Sequence, residues 1–390
     1  MRRICIFTST RADWGLLRGV AEEVRGHENL ELQLLVSGSH LSAKFGMTVS
    51  EIEDAGFDIS ARVDVLKYDD SAQGVCRSMG SALPGYSGAL AELKPDLIVV
   101  LGDRYETLCV AVTAQILRIP LAHIHGGETT EGSVDESFRH AITKMSQVHF
   151  PACEEYRNRI IQLGENPDRI LNVGALGVEN IGKVSMMGRD ELCSSIGFRL
   201  DCPFFLVTFH PVTLENSTAG SQLDELFAAL EQFPEHRVLF TKANADADGQ
   251  IINDRLDAYV GLNADRCFVV PSLGIQRYLS AMKLCAAVIG NSSSGILEAP
   301  SFHVPTVNIG DRQKGRVRAQ GVLDCEPDRL SIQSEINRAL TPEFVQSLKG
   351  SCSPFKKANT ALSIVDTLEA VDLSNILKKP FFNLTESSYV

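Results

Sequence analysis

The chain is predicted to be an α/β protein built from two Rossmann-like, doubly wound domains facing a cleft. Three observations predict this. Its 390 residues exceed what one ordinary hydrophobic core organises, so two domains are expected. Short apolar runs alternate with amphipathic stretches along most of the chain, the signature of βα units. The runs themselves, such as Leu97-Ile98-Val99-Val100-Leu101, lack polar alternation, which suits parallel strands covered by helices on both faces.

In the first half the strand-like runs are 3–8, 31–36, 96–101, 120–124 and 170–173, with helical patterns at 13–25, 105–117, 137–145 and 154–163. The second half repeats the theme. Strands are expected at 204–209, 237–241, 267–270, 286–289 and 304–308, and helices at 221–233, 249–261, 275–284 and 293–299. Helical patterns at 331–340 and 360–371 follow. The less periodic stretch 175–202 marks the boundary, giving domains of 1–180 and 181–372. Residues 373–390 form a tail that either packs back on domain one or stays loose.

Composition narrows the function. The formal net charge is −12, which repels nucleic acid and anionic membrane surfaces, so neither is an expected partner. Ten cysteines are scattered with no Cys-x-x-Cys pair, which points to reduced thiols rather than zinc or disulfides. The N-terminal apolar run is too short for a signal peptide, and no stretch approaches the ~20 apolar residues of a membrane span. A cytoplasmic location is expected. No G-x-G-x-x-G follows the first strand and there is no Walker A motif, so no nicotinamide or flavin cofactor is expected.

In doubly wound folds ligands bind beyond the carboxyl ends of the strands, and nearly every notable polar residue falls in those loops. The most informative is Gly290-Asn291-Ser292-Ser293-Ser294-Gly295-Ile296-Leu297-Glu298, after the apolar run 286–289. Helix N-termini present unpaired N–H groups to anions, serine hydroxyls add donors, and Glu298 can accept from two ribose hydroxyls. A Ser-capped helix is the alternative reading. Arg11 follows the first strand with the fork geometry suited to phosphate. Asp103 and Arg104 end the apolar run 97–101, where a helix N-cap is the competing role for Asp103. The stretch 123–140 gathers His123, His125, Glu128, Asp135, Glu136, Arg139 and His140, with strand alternation placing His123 and His125 on one face. Neighbouring carboxylates can divide acid and base roles. Two His with carboxylates also suit zinc, but the spacing matches no closed zinc pattern, and no metal is expected. His210 ends the first strand of the second half, where it can meet phosphate or shuttle a proton. Asn244, Arg312 and Arg316 add polar reach.

In this order and spacing the markers are specific. Thr10-Arg11-Ala12-Asp13, Gly102-Asp103-Arg104, His125-Gly126-Gly127-Glu128, Asp135-Glu136-Ser137-Phe138-Arg139-His140, Phe209-His210-Pro211, Gly290–Gly295 and Asp311-Arg312-Gln313 together resemble the hydrolysing UDP-N-acetylglucosamine 2-epimerases of sialic and related nonulosonic acid synthesis. The resemblance implies a glycosyltransferase-B-type fold. It also implies the hydrolase reaction of UDP-N-acetylglucosamine and water to N-acetylmannosamine and UDP, by loss of the C2 proton, anti elimination of UDP and hydration of the glycal. No cofactor or metal is implied, and the partners implied are the UDP-sugar and copies of the chain in a homodimer or homotetramer.

By the same resemblance, Asp103 and Asp135 look like catalytic carboxylates and His210 like a phosphate partner and acid. Either His125 or Glu128 would supply a second acid/base, because many relatives carry Glu where this chain has His125. Arg11, Arg104, His210, Asn244, Ser292, Ser293, Gly295, Glu298 and Arg312 look like UDP contacts. Two alternatives stand beside this reading. One is the same reaction on UDP-N,N′-diacetylbacillosamine towards legionaminic acid, and the other is a retaining nucleotide-sugar glycosyltransferase of the same fold. A non-catalytic UDP-sugar sensor would have no use for several carboxylates at the sugar end.

Overall fold

The computed structural model of the chain describes residues 1–69, 71–212, 218–243 and 249–384. Among these, twelve parallel strands form two six-stranded sheets. The first sheet contains β1 (Arg2–Thr8), β2 (Leu30–Ser37), β3 (Ala61–Val63), β4 (Leu97–Leu101), β5 (Leu121–Ile124) and β6 (Val148–Phe150), in the order β3-β2-β1-β4-β5-β6. The second contains β7 (Phe204–Thr208), β8 (Arg237–Thr241), β9 (Cys267–Val270), β10 (Ala287–Gly290), β11 (Thr306–Ile309) and β12 (Val322–Cys325), in the order β12-β11-β10-β7-β8-β9. Counted within each sheet, both orders are 3-2-1-4-5-6, the dinucleotide-fold arrangement. The two doubly wound units expected from the alternating pattern are present.

Strand alternation explains why the strands read as continuous apolar runs. Ile4, Ile6, Leu97 and Val99 face one core layer, and Cys5, Phe7, Ile98 and Val100 face the other, so both faces are buried. The second sheet is covered the same way, with Phe205 and Val207 on one face and Phe204 and Leu206 on the other.

The chain divides into two units. One comprises Met1–Glu128, Asp135–Asn180 and the chain from Lys357 on; the other comprises Thr129–Val134 and Ile181–Lys356. The helix Thr360–Ala370 therefore belongs to the first unit and not, as its place in 181–372 suggested, to the second. The reason is packing: Ala361, Ile364, Val365 and Leu368 are fully buried in the core layer that contains Ile4 and Ile6. The segment after it follows, with Ile376 buried in the same layer.

Several elements differ from the sequence pattern. No strand forms at 170–173; Ile170 makes an isolated bridge to His149, and the three-residue β6 occupies the edge. The strands β3 and β12 and the helix Ala72–Leu93 were not predicted. That helix carries Gly74, Gly80, Gly85, Gly88 and Pro84, which break a propensity-based reading. It forms because Ser78, Ala82, Tyr86 and Leu90 recur every four residues on its buried face, where Tyr86 meets Phe7 edge-on at 5.5 Å between centroids.

Candidate active site

In each sheet the strand order reverses between the first strand and its neighbour, at β1/β4 and at β7/β10. The loops beyond these carboxyl ends hold Arg11, Asp103, Arg104, His210, Ser292, Ser293 and Glu298, while His125, Glu128 and Asp135 follow the neighbouring β5 and Arg312 follows β11. Each unit is taken in turn.

In the first unit, β4 ends at Leu101 and the chain turns through Gly102. The N-cap of the next helix, Tyr105–Leu117, is Arg104 without a side-chain cap, so Asp103 is not engaged as a cap. Asp103 instead accepts a hydrogen bond from Nη2 of Arg139. The same guanidinium reaches Glu128 Oε2 at 3.4 Å. Glu128 Oε1 in turn lies 3.5 Å from Nδ1 of His125. Arg139 and Glu128 are each 3% exposed and Asp103 is 22% exposed. One buried cation thus holds two carboxylates, with the more open one towards solvent. A buried guanidinium is tolerated only with such partners.

Arg139 was noted in the stretch 123–140 but given no role from the sequence. Its signal is spacing: it lies one helical turn after Asp135 on the helix Asp135–Met145, hence on the same face. Asp135 begins that helix and is half-buried, and Glu136 pairs with His140 at 3.0 Å.

His125 lies beyond β5, with φ +62°, in the left-handed region that non-glycine residues rarely occupy. Strand alternation therefore does not orient it with His123. His123 is fully buried, its Nε2 2.8 Å from Gly102 O and its Nδ1 3.1 Å from Thr143 Oγ1, and burial pushes its pKa down to about 3. It is a neutral internal support beneath the loop. Gly127, at φ +77°, has no alternative, because a Cβ there would lie 2.4 Å from Tyr156 O.

Two further loop residues have local partners. Arg104 Nε lies 3.3 Å from Glu106 Oε2, and burial raises the pKa of that carboxyl although Arg104 opposes it. Arg11 is exposed on the first turn of its helix, whose start is closed by a reciprocal pair: Asp13 Oδ2 accepts from Thr10 N at 3.0 Å, and Thr10 Oγ1 accepts from Asp13 N at 3.1 Å.

In the second unit, β7 and β10 run side by side and their ends are tied together. Asn291 Oδ1 accepts from His210 N at 2.7 Å, and Asn291 Nδ2 donates to His210 O at 2.8 Å. Asn291 O accepts from Arg312 Nη1 at 3.1 Å and from Gln313 Nε2 at 3.0 Å. His210, Ser292 and Arg312 are thus gathered around one fully buried amide, Asn291. Neither Asn291 nor Gln313 was put forward from the sequence, although both lie inside the quoted motifs. Gly290 permits the close approach: a Cβ there would lie 2.0 Å from Thr208 O.

The helix after this loop, Ser293–Leu297, has five residues. So short a helix adds little macrodipole, and the local donors matter more. Ser292 is its N-cap, Ser293 is half-buried at its first position, and Glu298 closes it. Tyr278 OH bonds Ser294 Oγ, orienting the serine row from below. Gly295 has a packing role: it is buried, and a Cβ there would lie 2.8 Å from Thr306 Cγ2. Asn244 lies outside the described residues. Arg316 is half-buried in the loop after Gln313. Among the described residues, no group of three or more His, Cys, Asp or Glu side chains is arranged to hold a metal ion, and no helix is long and apolar enough to cross a membrane.

Comparison with known proteins agrees with these motifs. The family model described as UDP-N-acetylglucosamine 2-epimerase matches residues 22–369. The chain is 41% identical over 384 residues to the GDP/UDP-N,N′-diacetylbacillosamine 2-epimerase (hydrolyzing) of Campylobacter jejuni, covering 98% of this chain and 99% of that one. It is 36% identical over 388 residues to the polysialic acid biosynthesis protein P7 of Escherichia coli, covering 99% and 98%. In fold it is similar to the crystal structure of UDP-GlcNAc 2-epimerase from Neisseria meningitidis, with a TM-score of 0.79 at 17% identity over 95% of this chain and all of that one. With the motifs around both switch points and full-length similarity to a hydrolysing 2-epimerase, the chain belongs to the UDP-N-acetylglucosamine 2-epimerase family.

Proposed function

We propose that the protein is a hydrolysing 2-epimerase acting on a UDP-activated 2-acetamido sugar. The observation that carries this is the Asp103–Arg139–Glu128–His125 cluster, which brings two carboxylates of unequal exposure and an imidazole together as acid/base candidates beyond β4 and β5. A carboxylate takes the proton from C2, the C1–oxygen bond breaks, and UDP departs with the bonding electrons. The resulting 2-acetamidoglucal adds water, hydroxide forming a bond to C1 and a proton returning to C2 from the opposite face. We assign Asp103, Glu128 and Asp135 to these proton transfers, with His125 supporting Glu128. His210, Arg312, Arg11 and the Ser292-Ser293 pair neutralise the departing diphosphate, and Glu298 holds the ribose. No step requires a metal or an organic cofactor. A cytoplasmic location is proposed, and a homo-oligomer is proposed by resemblance.

For the sugar, we favour UDP-N,N′-diacetylbacillosamine, which departs from the order suggested by the motifs. The 41% identity to the C. jejuni protein supports it. UDP-N-acetylglucosamine is the second reading, supported by the description of the matching family. Incubation with each UDP-sugar in deuterated water, followed by NMR, tests both. Free UDP and a C2-inverted sugar carrying deuterium at C2 are expected. Release of UDP only after an acceptor is added would indicate a glycosyltransferase and overturn the proposal. The ratio of kcat/KM for the two substrates decides the sugar.

A further inference from the structure

The helix Asp135–Met145 carries Asp135 and Arg139 near its start, and its far end is held by a cluster that the reaction does not use. Lys144, in its last turn, donates to Leu163 O at 3.0 Å and to Glu165 Oε1 at 2.5 Å. Glu165 is 3% exposed and also lies 3.2 Å from His149 Nε2. Burial by itself would raise its pKa, but the bonds from His149, Lys144 and Lys379 bring it down to about 2. Lys379 comes from the C-terminal segment. Its ammonium donates to Glu165 Oε2 at 2.7 Å and to Ser146 O at 2.6 Å, directly beyond the helix end.

The segment around Lys379 is itself pinned on both sides. Ile376 is 1% exposed in the core, and its carbonyl accepts from Arg169 Nη1 at 3.2 Å. Phe382 N donates to Gly164 O at 2.8 Å. The Phe381 ring covers Gly164, where a Cβ would lie 2.4 Å from the ring, and the Lys144 ammonium lies 4.9 Å from that ring's centroid. Phe381 is nonetheless 63% exposed, so it contributes little core.

We propose that residues 376–382 form a strap that fixes the last turn of the helix Asp135–Met145 and so positions Asp135 and Arg139 at its other end, with Lys379 as the positioning residue. The helix is a rod of 11 residues, about 16 Å long, so a shift at Lys144 and Ser146 carries to Arg139 with little loss. Arg139 holds both Asp103 and Glu128, and small misplacements of such groups slow a reaction strongly. This inference rests on the assignment of Asp103, Glu128 and Asp135 to proton transfer.

The test compares Lys379→Met, Lys379→Arg and Phe381→Ala in the full chain. Lys379→Met is expected to lower kcat about tenfold, with KM and the Kd for UDP within about twofold of wild type, and Lys379→Arg to recover most of kcat. Phe381→Ala, at an exposed position that does not threaten folding, is expected to lower kcat in the same direction. Wild-type kcat in both Lys379→Met and Phe381→Ala would overturn the strap. So would equal impairment by Lys379→Met and Lys379→Arg, or a loss borne by KM and UDP affinity instead of kcat. Amide hydrogen exchange across 139–145 provides a readout independent of turnover. Faster exchange in Lys379→Met supports the strap and unchanged exchange overturns it, even if wild-type protein releases UDP from neither sugar, a result that counts against the functional reading alone.

Discussion

His125 Nδ1 lies 3.5 Å from Oε1 of Glu128, and both side chains are buried. We propose two roles for the pair. Glu128 shares Arg139 with Asp103 and so belongs to the carboxylate cluster, while His125 sits on a strained turn beside it. Glu128→Gln is expected to lower kcat by about 10²- to 10⁴-fold, the usual worth of a general acid or base. His125→Asn, which tolerates the left-handed backbone, should keep the melting temperature near wild type and cost about tenfold in kcat. Rates of UDP release check both. A greater loss in His125→Asn than in Glu128→Gln would reverse the assignment.

Arg139 bridges two carboxylates of low exposure. Arg139→Met leaves both without it, and a destabilisation of about 3–5 kcal/mol is expected, together with loss of turnover. Asp103→Asn keeps a hydrogen-bonding partner for Arg139, so it should retain most of the stability and lose activity. Urea unfolding midpoints and kcat, measured on the same preparations, separate these outcomes. Equal stability of the two variants would argue against the bridge.

The β7/β10 junction should be intolerant of small changes. Gly290→Ala drives a methyl group into Thr208 O at a positive φ of 130°, and a loss of about 3 kcal/mol is expected from overpacking and backbone strain together. Asn291→Ala removes the side-chain bonds to the His210 backbone and should cost about 2 kcal/mol. Because Arg312 and Gln313 bond the main-chain carbonyl of Asn291, their contacts survive that substitution. Calorimetric UDP binding should therefore weaken less in Asn291→Ala than in Arg312→Ala.

Acid should unfold the protein early. Burial lowers the pKa of His40 to about 4 and that of His123 to about 3, from an ordinary 6.5. The unfolded chain therefore binds more protons than the folded one between those values and pH 6.5. Stability is full above about pH 6.5 and falls as pH drops, by up to about 1.4 kcal/mol per pH unit for each histidine. His40 spans Thr8 Oγ1 at 3.0 Å and Thr48 Oγ1 at 2.9 Å, which a Gln can partly replace. His40→Gln should flatten the slope of stability against pH between 6.5 and 4, read from urea midpoints. An unchanged slope would remove His40 as a source.

Much of the fold was legible because strands buried on both faces announce themselves as apolar runs, as Leu97–Leu101 and Phe204–Thr208 do. The helix Ala72–Leu93 was not, since glycine and proline hide a helix whose buried face is set by Tyr86 and Leu90. Of the site, the polar residues after each strand could be read from the chain, because loops beyond strand ends are where such folds bind ligands. Their partners could not. Arg139 lies 36 residues from Asp103, and nothing in their spacing announces the bond.

The order of residues alone determined the α/β class, the two doubly wound units and the motifs at the strand ends, since these depend on local periodicity and on loop chemistry. Tertiary structure alone decided the strand order, which places the motifs after β1, β4, β7 and β10 at the two switch points. It also decided that Asp103 bonds Arg139 in place of a helix cap, and that the helix Thr360–Ala370 packs on the first sheet. These are long-range outcomes. They follow from which apolar faces and which charges find burial together, and that is settled only when distant segments meet.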